Sequence, residues 1–335
     1  MTSSLVQRLA SGAPLGDPPA VVDVHGSAPP NPPEQLQVQF VGLSFEEAYA
    51  EAEAFVTAVA EELRACGHPG LRGSRVLDFG CGWGRISRLL LSEVPPQQLF
   101  AVDVDGEMTA LVNVSLPGIN AMTVPVTPPT VLRDASMDVV VAFSVFSHLS
   151  RAAHEAWARE LARVVRPGGI VAITVLGEEF IDLVEGAQQL VRRGAADDFA
   201  ASMATVFADV PAARAGFRAD RLQFGATGGG GVRTEDYYGW AAVPRRFVER
   251  VWGDNGMEVV RWRPSGELFS QGLVVLVRSG DDAAARAVRR ARRAVRHRAE
   301  VAVERLRRRA PAPLVAVARR FRGAPGTGTG TADQL

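Results

Sequence analysis

Between Arg75 and Thr174, short apolar segments alternate with segments in which apolar residues recur every three or four positions. The first pattern is typical of buried strands and the second of amphipathic helices. Strands and helices that alternate in this way form a parallel sheet with right-handed crossovers. The sequence therefore predicts a doubly wound α/β domain, which binds its ligand at the carboxyl ends of the strands.

The pattern continues on both sides of this region. Phe45–Cys66 has apolar residues at helical spacing and acidic residues in its first turns, where the helix dipole favours them, so it predicts a helix that covers the start of the sheet. Pro244–Trp252 predicts a later helix, and Met257–Trp262 with Leu273–Arg278 predicts two strands joined by a turn. We expect one domain over residues 40–280.

Residues 178–240 interrupt the alternation. They begin with a helical stretch, continue with a mixed stretch and contain four consecutive glycines, Gly228 to Gly231. We interpret this insertion, which follows the fifth predicted strand, as a candidate cap over the substrate. Outside the domain, residues 1–39 are expected to form an extended arm rich in Pro, Gly and Ala, and residues 323–335 a disordered tail.

The chain has a basic C-terminal extension over residues 281–322. It contains 14 Arg and 4 acidic residues, whereas the rest of the chain holds 23 Arg and 33 acidic residues. Ala284–Leu306 has the spacing of an amphipathic helix with arginines on its other faces. Three interpretations stay open for residues 284–322: a solvated segment, a helix on an anionic membrane surface, or a helix bound to a protein partner.

Composition excludes several classes of protein. With 335 residues, 47% of them hydrophobic, the chain can bury a full α/β core. Its two cysteines, Cys66 and Cys81, provide neither a disulfide framework nor a metal-ligand cluster, so no metal is expected. No apolar segment reaches the roughly 18 residues that span a bilayer, and residues 1–20 lack the pattern of a signal peptide. We predict a cytoplasmic protein that contacts the inner membrane surface, if at all, peripherally.

A glycine-rich turn follows the first predicted strand. VLDFGCGWGRISRLL, residues 76–90, runs from an apolar strand through Gly80, Gly82 and Gly84 into a helix that begins at Arg85. The glycines permit positive φ and close approach of a ligand, and the helix N-terminus favours a carboxylate or a phosphate. The dinucleotide fingerprint G-x-G-x-x-G requires glycine at position 85. Arginine at that position disfavours a nicotinamide dinucleotide.

An acidic residue ends the second predicted strand. Asp103 lies in the segment LFAVDV, residues 99–104, about 20 residues beyond the glycines. In nucleotide-binding folds of this kind, an acid at this position accepts hydrogen bonds from the ribose hydroxyls. The turn and Asp103 together predict a nucleoside-containing cofactor.

Four motifs in this order resemble the class I S-adenosylmethionine-dependent methyltransferases. The first is the strand followed by D-x-G-x-G at residues 78–82, and the second is Asp103. DVVVAFSVFSHL at residues 138–149 is similar to the family's fourth strand, and WARELARVVRPGGIVAIT at residues 157–174 to its helix, turn and fifth strand. The resemblance covers residues 40–280 and implies a Rossmann-like, mostly parallel seven-stranded sheet that binds S-adenosylmethionine.

More narrowly, the chain resembles the bacterial methyltransferases found with glycosyltransferases in surface-polysaccharide clusters. The residues that carry this likeness are FGCGWGR, SVFSHLS and the later Tyr-Gly-Trp and Gln-Gly-Leu-Val-Val-Leu stretches. The likeness implies a glycan or another small molecule as the methyl acceptor, and a role in polysaccharide biosynthesis.

The resemblance also assigns roles within the cofactor site. Asp78 is expected to orient the glycine turn and to meet the methionine amine through water, and Ser144 to border the methionine moiety. Two interpretations stay open for Arg85, contact with the cofactor's carboxylate or a surface position, and two for Trp83, packing against the cofactor or wedging the turn. The predicted cofactor-binding residues are Asp78, Gly80, Cys81, Gly82, Trp83, Gly84, Arg85, Asp103, Val104 and Ser144.

His148 is the candidate catalytic residue. It follows the fourth predicted strand, where a histidine can take a proton from a hydroxyl acceptor near neutral pH. The competing interpretation is a histidine that packs the turn at the start of a helix. Tyr237, Tyr238 and Trp240 have the same two interpretations, an aromatic wall for a sugar or ring, or packing within the cap.

The sequence predicts methyl transfer from S-adenosylmethionine to a hydroxyl oxygen of a small molecule or glycan. A nicotinamide-dependent reductase is disfavoured, because the chain has no lysine and carries Arg85 in place of the third glycine. A nucleic-acid substrate is disfavoured for two reasons. The D/N-P-P-Y/F motif of amino-methylating DNA enzymes does not follow the fourth strand, and neither cysteine follows a proline as in the cytosine-5 enzymes. The remaining alternative is a scaffold that binds S-adenosylmethionine without catalysis.

Overall fold

The structure is a computed structural model in which residues 31–280 are described. The predictions for residues 1–30, for the basic extension 281–322 and for the tail 323–335 concern residues outside this range. Across the described range, no helix combines the length and the hydropathy that a membrane span requires.

The main sheet has seven strands, and two further strands pair separately within the described residues. The strands are β1 (Val76–Phe79), β2 (Leu99–Asp103), β3 (Asn120–Thr123), β4 (Met137–Ala142), β5 (Val165–Val175), β6 (Gln223–Gly225), β7 (Trp240–Ala242), β8 (Met257–Arg263) and β9 (Gly272–Arg278). The order in the main sheet is β3-β2-β1-β4-β5-β9-β8. Strands β1 to β5 are parallel, and β9 is antiparallel to β5 and β8. The predicted doubly wound, mostly parallel seven-stranded sheet is confirmed.

Helices flank the sheet and form most of the insertion. They are α1 (Glu34–Val41), α2 (Phe45–Ala65), α3 (Arg85–Leu90), α4 (Gly106–Ser115), α5 (Arg151–Val164), α6 (Glu178–Arg192), α7 (Asp198–Ala204), α8 (Val210–Arg218) and α9 (Arg245–Asp254). The predicted helix over Phe45–Cys66 is confirmed to within one residue, since α2 ends at Ala65. As predicted, Glu46 and Glu47 lie in its first turn, and the helix buries one apolar face.

The first helix lies where the sequence predicted an extended arm. Residues 34–39, the last six of that arm, belong to α1, which ends at the left-handed Gly42. The buried side chain of Gln37 joins the helix to its surroundings: its Nε2 donates to the carbonyl of Pro32, and its Oε1 accepts from the N–H of Phe45, both at 2.8 Å. These hydrogen bonds reach only five and eight residues along the chain, but because they are made by a polar side chain they leave no trace in the hydrophobic pattern.

Side chains of the central strands alternate between two cores. Val76 and Val139 pack in the core formed with α2 and α3, whereas Leu77 and Val140 pack in the core formed with α5 and α9. All four are fully buried, and each such burial contributes about 1.5–3 kcal/mol. Because both faces of the sheet are covered, the strands are apolar throughout rather than alternating, as the sequence indicated.

Residues 178–240 form a separate layer beside the sheet. Helices α6, α7 and α8 share a third core, and β6 pairs antiparallel with β7. Isolated bridges join Leu149 to Tyr238 and Leu176 to Ala242, so the layer is attached just beyond the ends of β4 and β5. The insertion follows strand five as predicted, and its use as a substrate cap stays a prediction.

Candidate active site

The turn between β1 and α3 has the backbone conformation that its glycines allow. Gly80, Gly82 and Gly84 have φ values of 75°, 50° and 86°. A Cβ at Gly80 would overlap Cγ2 of Val145, so any side chain there would force a neighbour to move. The turn therefore lies directly against the segment that follows β4.

Asp103 is held at the end of β2 by two backbone donors. Its Oδ2 accepts from the N–H of Gly82 at 2.8 Å, and its Oδ1 accepts from the N–H of Asp105 at 2.9 Å. Only 8% of the residue is exposed; burial raises the pKa of the carboxyl, and the two N–H groups oppose that rise. Each carboxylate oxygen keeps acceptor capacity for a further donor. This geometry fits the role predicted toward ribose hydroxyls.

Asp78 points into the protein interior. Its Oδ2 accepts from the hydroxyl of Ser87 in α3 at 2.7 Å, and burial raises the pKa of the carboxyl to about 7. The hydrogen bond ties β1 to α3 across the glycine turn, which agrees with the predicted orienting role. Contact with the methionine amine stays a prediction.

The residues between the glycines are buried. Burial raises the pKa of the Cys81 thiol well above its usual value, so the thiolate form is disfavoured. Trp83 packs edge-on against Tyr49 of α2, with ring centroids 5.8 Å apart, and so wedges the turn against that helix. Val104, beyond β2, is only partly buried.

Arg85 is buried and ion-paired within the protein. Its Nη1 donates to the carbonyl of Ala48 and to Oε2 of Glu51, each at 3.0 Å. Its guanidinium also lies 4.9 Å from the ring centroid of Phe143. The surface interpretation of Arg85 is therefore wrong, because the guanidinium fastens α2 to the start of α3.

Ser144 closes a triangle of hydrogen bonds with Thr174 of β5 and Gln271, which precedes β9. The N–H of Ser144 donates to Oγ1 of Thr174 at 2.7 Å. The Thr174 hydroxyl donates to Oε1 of Gln271, and Nε2 of Gln271 donates to Oγ of Ser144, both at 2.8 Å. The triangle holds Ser144 at a φ of 56°. This left-handed conformation is unfavourable in free energy for any residue other than glycine.

The ring of His148 is fixed on both of its nitrogens. Nδ1 lies 2.7 Å from the carbonyl oxygen of Gly239. Because a carbonyl only accepts, Nδ1 carries the proton of the neutral ring and Nε2 keeps a lone pair. Nε2 lies 3.3 Å from Oγ of Ser144. The ring stacks on Tyr238 at a centroid distance of 5.0 Å and meets Trp240 at 4.5 Å.

The surroundings of His148 disfavour its charged form. Burial lowers the pKa of the imidazole from 6.5 to about 4, and the nearby Arg233 acts in the same direction, while the bond to Gly239 opposes both. The ring is therefore neutral at physiological pH. It can accept a hydrogen bond or a proton through Nε2, but it is a weaker base than a solvated histidine.

Comparison with known proteins connects this geometry to a family. Residues 76–169 match the family described as "Methyltransferase domain". The matched range begins with β1 and contains the glycine turn, Asp103, Ser144 and His148. Over residues 76–169 the chain is therefore similar to methyltransferase domains, and its seven-stranded sheet has the class I fold. S-adenosylmethionine is the cofactor of this class, as the sequence predicted.

Two relatives of the methyltransferase domain have assigned activities. The chain is 33% identical over 149 residues to a malonyl-[acyl-carrier protein] O-methyltransferase of Methylococcus capsulatus, an alignment that covers 42% of this chain and 52% of the relative. It is 31% identical over 131 residues to a trans-aconitate 2-methyltransferase of an Acidovorax species, which covers 37% of this chain and 46% of the relative. The chain thus spans about half the length of each relative.

Among solved structures, an S-adenosylmethionine-bound amino pentose methyltransferase from Micromonospora echinaspora is similar to this chain. The two share 18% identity with a TM-score of 0.44, over 69% of this chain and 92% of that one.

Sequence reasoning missed four residues around the candidate site. Gln271 and Gly239 belong to stretches that the sequence singled out, but no role was predicted for them. Thr174 reads as an ordinary strand residue, and Arg233 follows the four glycines without a motif. Each acquires its place only when β5, β9 and the insertion come together.

In residues 31–280, no three His, Cys, Asp or Glu side chains are grouped closely enough to hold a metal ion.

Proposed function

We propose that this chain transfers the methyl group of S-adenosylmethionine to an oxygen atom of a small-molecule acceptor. One juxtaposition carries the proposal: the oriented carboxylate of Asp103, the glycine turn and the Ser144–His148 pair meet at the carboxyl ends of β1, β2 and β4. The carboxylate and the turn suit the nucleoside and methionine parts of the cofactor, and the pair offers a polar group to an acceptor.

The residues that would hold the cofactor act in different ways. Asp103 would accept from the ribose hydroxyls with the acceptor capacity that Gly82 and Asp105 leave unused. The glycine turn would let the methionine part approach the backbone. Arg85 would contribute indirectly, because Glu51 already balances its charge and the pair holds α2 against the turn.

S-adenosylmethionine supplies a methyl group made electrophilic by a sulfonium. Transfer forms an O–C bond and breaks the C–S bond, so the protein mainly has to align the acceptor oxygen and exclude water. For a hydroxyl acceptor, we assign the departing proton to Nε2 of His148, whose Nδ1–H is held by Gly239. A carboxylate acceptor loses no proton, and His148 would then only position it.

Two classes of acceptor have support. The rings of Tyr238 and Trp240 beside His148 favour a sugar or another ring, in line with the resemblance to polysaccharide-associated methyltransferases. The two relatives with assigned activities are named for organic acids, a malonyl group and trans-aconitate. Both classes of acceptor present an oxygen atom, and we therefore propose methyl transfer to oxygen.

Calorimetry with S-adenosylmethionine and with NAD(P)H tests the cofactor assignment. We expect S-adenosylmethionine to bind the wild type, and Asp103→Asn to weaken it by about 10- to 100-fold, since a charge-assisted hydrogen bond is lost. The control is Asp134→Asn, whose side chain is 79% exposed and pairs with Arg163. Binding of NAD(P)H alone would refute the proposal.

Mass spectrometry of acceptor mixtures tests transfer itself. The wild type is incubated with S-adenosylmethionine and either hydroxyl-bearing glycans or organic acids, and products are sought that have gained one methyl group. A methylated product together with S-adenosylhomocysteine supports the proposal. Cofactor binding without either product, also with metabolite extracts as the acceptor source, would favour a non-catalytic scaffold.

A further inference from the structure

Arg233 places a guanidinium beside both halves of the site. One of its terminal nitrogens, Nη1, lies 3.3 Å from Oδ2 of Asp105, two residues beyond the ribose carboxylate Asp103. Its guanidinium lies 4.7 Å from the ring centroid of Phe40 in α1, and a Cβ at Gly82 would lie 3.7 Å from Cδ1 of that ring. Phe40 therefore connects Arg233 to the glycine turn, and only 14% of the Arg233 side chain is exposed.

The segment that carries Arg233 is fastened to the acceptor side of the site. The N–H of Gly228 donates to the carbonyl of Tyr238 at 3.0 Å, and the N–H of Gly229 donates to the carbonyl of Arg233 at 2.8 Å. A Cβ at Gly229 would come within 2.6 Å of the Tyr238 ring, so the glycine lets the loop lie directly on it. Tyr238 in turn stacks on His148. Cofactor side and acceptor side thus meet at Arg233.

We propose that Arg233 selects the acceptor by binding a carboxylate of it, in exchange for Asp105. This inference rests on the proposed methyl transfer and adds the chemical class of the acceptor, an organic acid.

The surroundings of Arg233 favour such an exchange. A guanidinium binds a carboxylate best through two parallel N–H···O bonds. Asp105 instead pairs with Arg233 through a single nitrogen, with 3.3 Å between Nη1 and Oδ2. Asp105 also accepts from the N–H of Glu107 at the start of α4, which holds its carboxylate to that helix. Phe40 covers one face of the guanidinium and Nε donates to the carbonyl of Gly229 at 3.4 Å, so a planar carboxylate would bind through the terminal nitrogens Nη1 and Nη2.

The charged groups around Arg233 define what an acceptor carboxylate would have to replace. The aromatic groups nearest to the loop are uncharged, since burial raises the pKa of Tyr237, and raises that of Tyr238 to about 12. His148 is neutral as well. Asp103 and Asp105 are the acidic groups facing Arg233 within the described residues, and Asp103 is already engaged by two backbone donors. An acceptor carboxylate that displaces Asp105 would replace one negatively charged partner of the desolvated guanidinium with another.

Binding of trans-aconitate and of its uncharged trimethyl ester to the protein saturated with S-adenosylhomocysteine tests this inference. We expect the wild type to bind the acid more tightly than the ester, and Arg233→Gln to lose about 10- to 100-fold of affinity for the acid alone. The matched control is Arg221→Gln, an exposed arginine of the same insertion. Asp105→Asn, which keeps an oxygen for the α4 cap, should tighten acid binding by removing the competitor.

Each result separates this inference from the proposed function. Equal affinity for acid and ester, no binding of the acid, or an unchanged affinity in Arg233→Gln would overturn the role of Arg233 while methyl transfer stands. Loss of S-adenosylhomocysteine affinity in Arg233→Gln with acid selectivity retained would also overturn it, and would place Arg233 in the cofactor site. Failure of the wild type to bind S-adenosylhomocysteine would count against the proposed function itself.

Discussion

His148 and Gly239 are joined by two reciprocal hydrogen bonds across 91 residues of sequence. The N–H of Gly239 donates to the carbonyl of His148 at 2.9 Å, and Nδ1–H of His148 donates to the carbonyl of Gly239 at 2.7 Å. The backbone at Gly239, the residue before β7, therefore sets both the position and the tautomer of the candidate catalytic ring. Any change that moves Gly239 should move His148.

Gly239→Ala should destabilise the protein and abolish methyl transfer. A Cβ at this position would overlap the carbonyl oxygen of Gly225 on the paired strand, and we expect a loss of more than about 2 kcal/mol in the free energy of unfolding. Urea denaturation measures it. Gly186→Ala is the control, because its Cβ would meet open space within α6, and alanine there should stabilise by about 0.5–1 kcal/mol. Equal effects of the two changes would contradict the packing seen at Gly239.

His148→Asn tests whether the imidazole takes part in the chemistry. Asparagine can still donate to Gly239 through its amide, but it lacks the lone pair at Nε2. With a hydroxyl acceptor, we expect kcat to fall by about 10²- to 10⁴-fold and the Kd of S-adenosylmethionine to stay unchanged. In the wild type, activity should rise through pH 4 and stay level above about pH 5, since Nε2 must be unprotonated. An unchanged kcat in the variant would reduce His148 to a packing residue.

Gly80→Ala should weaken cofactor binding through two separable effects. The substitution strains a backbone with φ of 75°, and its Cβ overlaps Cγ2 of Val145. Gly73 has a similar φ of 82° and nothing near its Cβ, so Gly73→Ala introduces the backbone strain alone. We expect this strain to lower the free energy of unfolding by about 1–2 kcal/mol. Adding Val145→Ala to the Gly80 variant should restore part of the affinity for S-adenosylmethionine measured by calorimetry. No rescue would mean that the overlap is unimportant.

Acid should destabilise the fold through His154. This ring is fully buried, its Nε2 accepts from Nε1–H of Trp252 at 3.2 Å, and burial lowers its pKa from 6.5 to about 3. Between these two values the unfolded chain binds more protons than the folded one. The stability that depends on the neutral ring is therefore complete above pH 6.5 and is lost as the pH falls, by about 2 kcal/mol at pH 5.

Chemical denaturation at pH 8 and at pH 5 measures this linkage. His154→Gln keeps an acceptor for Trp252 and removes the titrating group, so its stability should change less between the two pH values than that of the wild type. His148, with a pKa also lowered, adds to the acid sensitivity of both proteins. A pH dependence that is identical in the two proteins would show that His154 does not titrate as its burial requires.

The alternation of apolar strands and amphipathic helices was sufficient to predict the sheet, and the reason is local. A strand that is buried on both faces has to be apolar throughout, and a helix that packs on it has to be apolar on one face. The strands β1, β2, β4 and β5 can therefore be predicted from the sequence. The glycine turn is legible too, since positive φ at Gly80, Gly82 and Gly84 restricts the residue type itself. The hydrogen bonds of a polar side chain leave no such pattern, and those of Gln37 in α1, a helix that was not predicted, are an example.

The sequence alone determined the fold class, the glycine turn after β1 and the position of Asp103 at the end of β2, because each depends on the periodicity or the steric demands of consecutive residues. Only the tertiary structure decided that Arg85 is neutralised by Glu51, that Gln271 and Thr174 hold Ser144, and that Gly239 orients His148. These are hydrogen bonds and ion pairs between residues 30 to 127 positions apart. Their partners are brought together by sheet pairing and loop packing, and a polar residue carries no mark in the sequence of the distant group that will satisfy it.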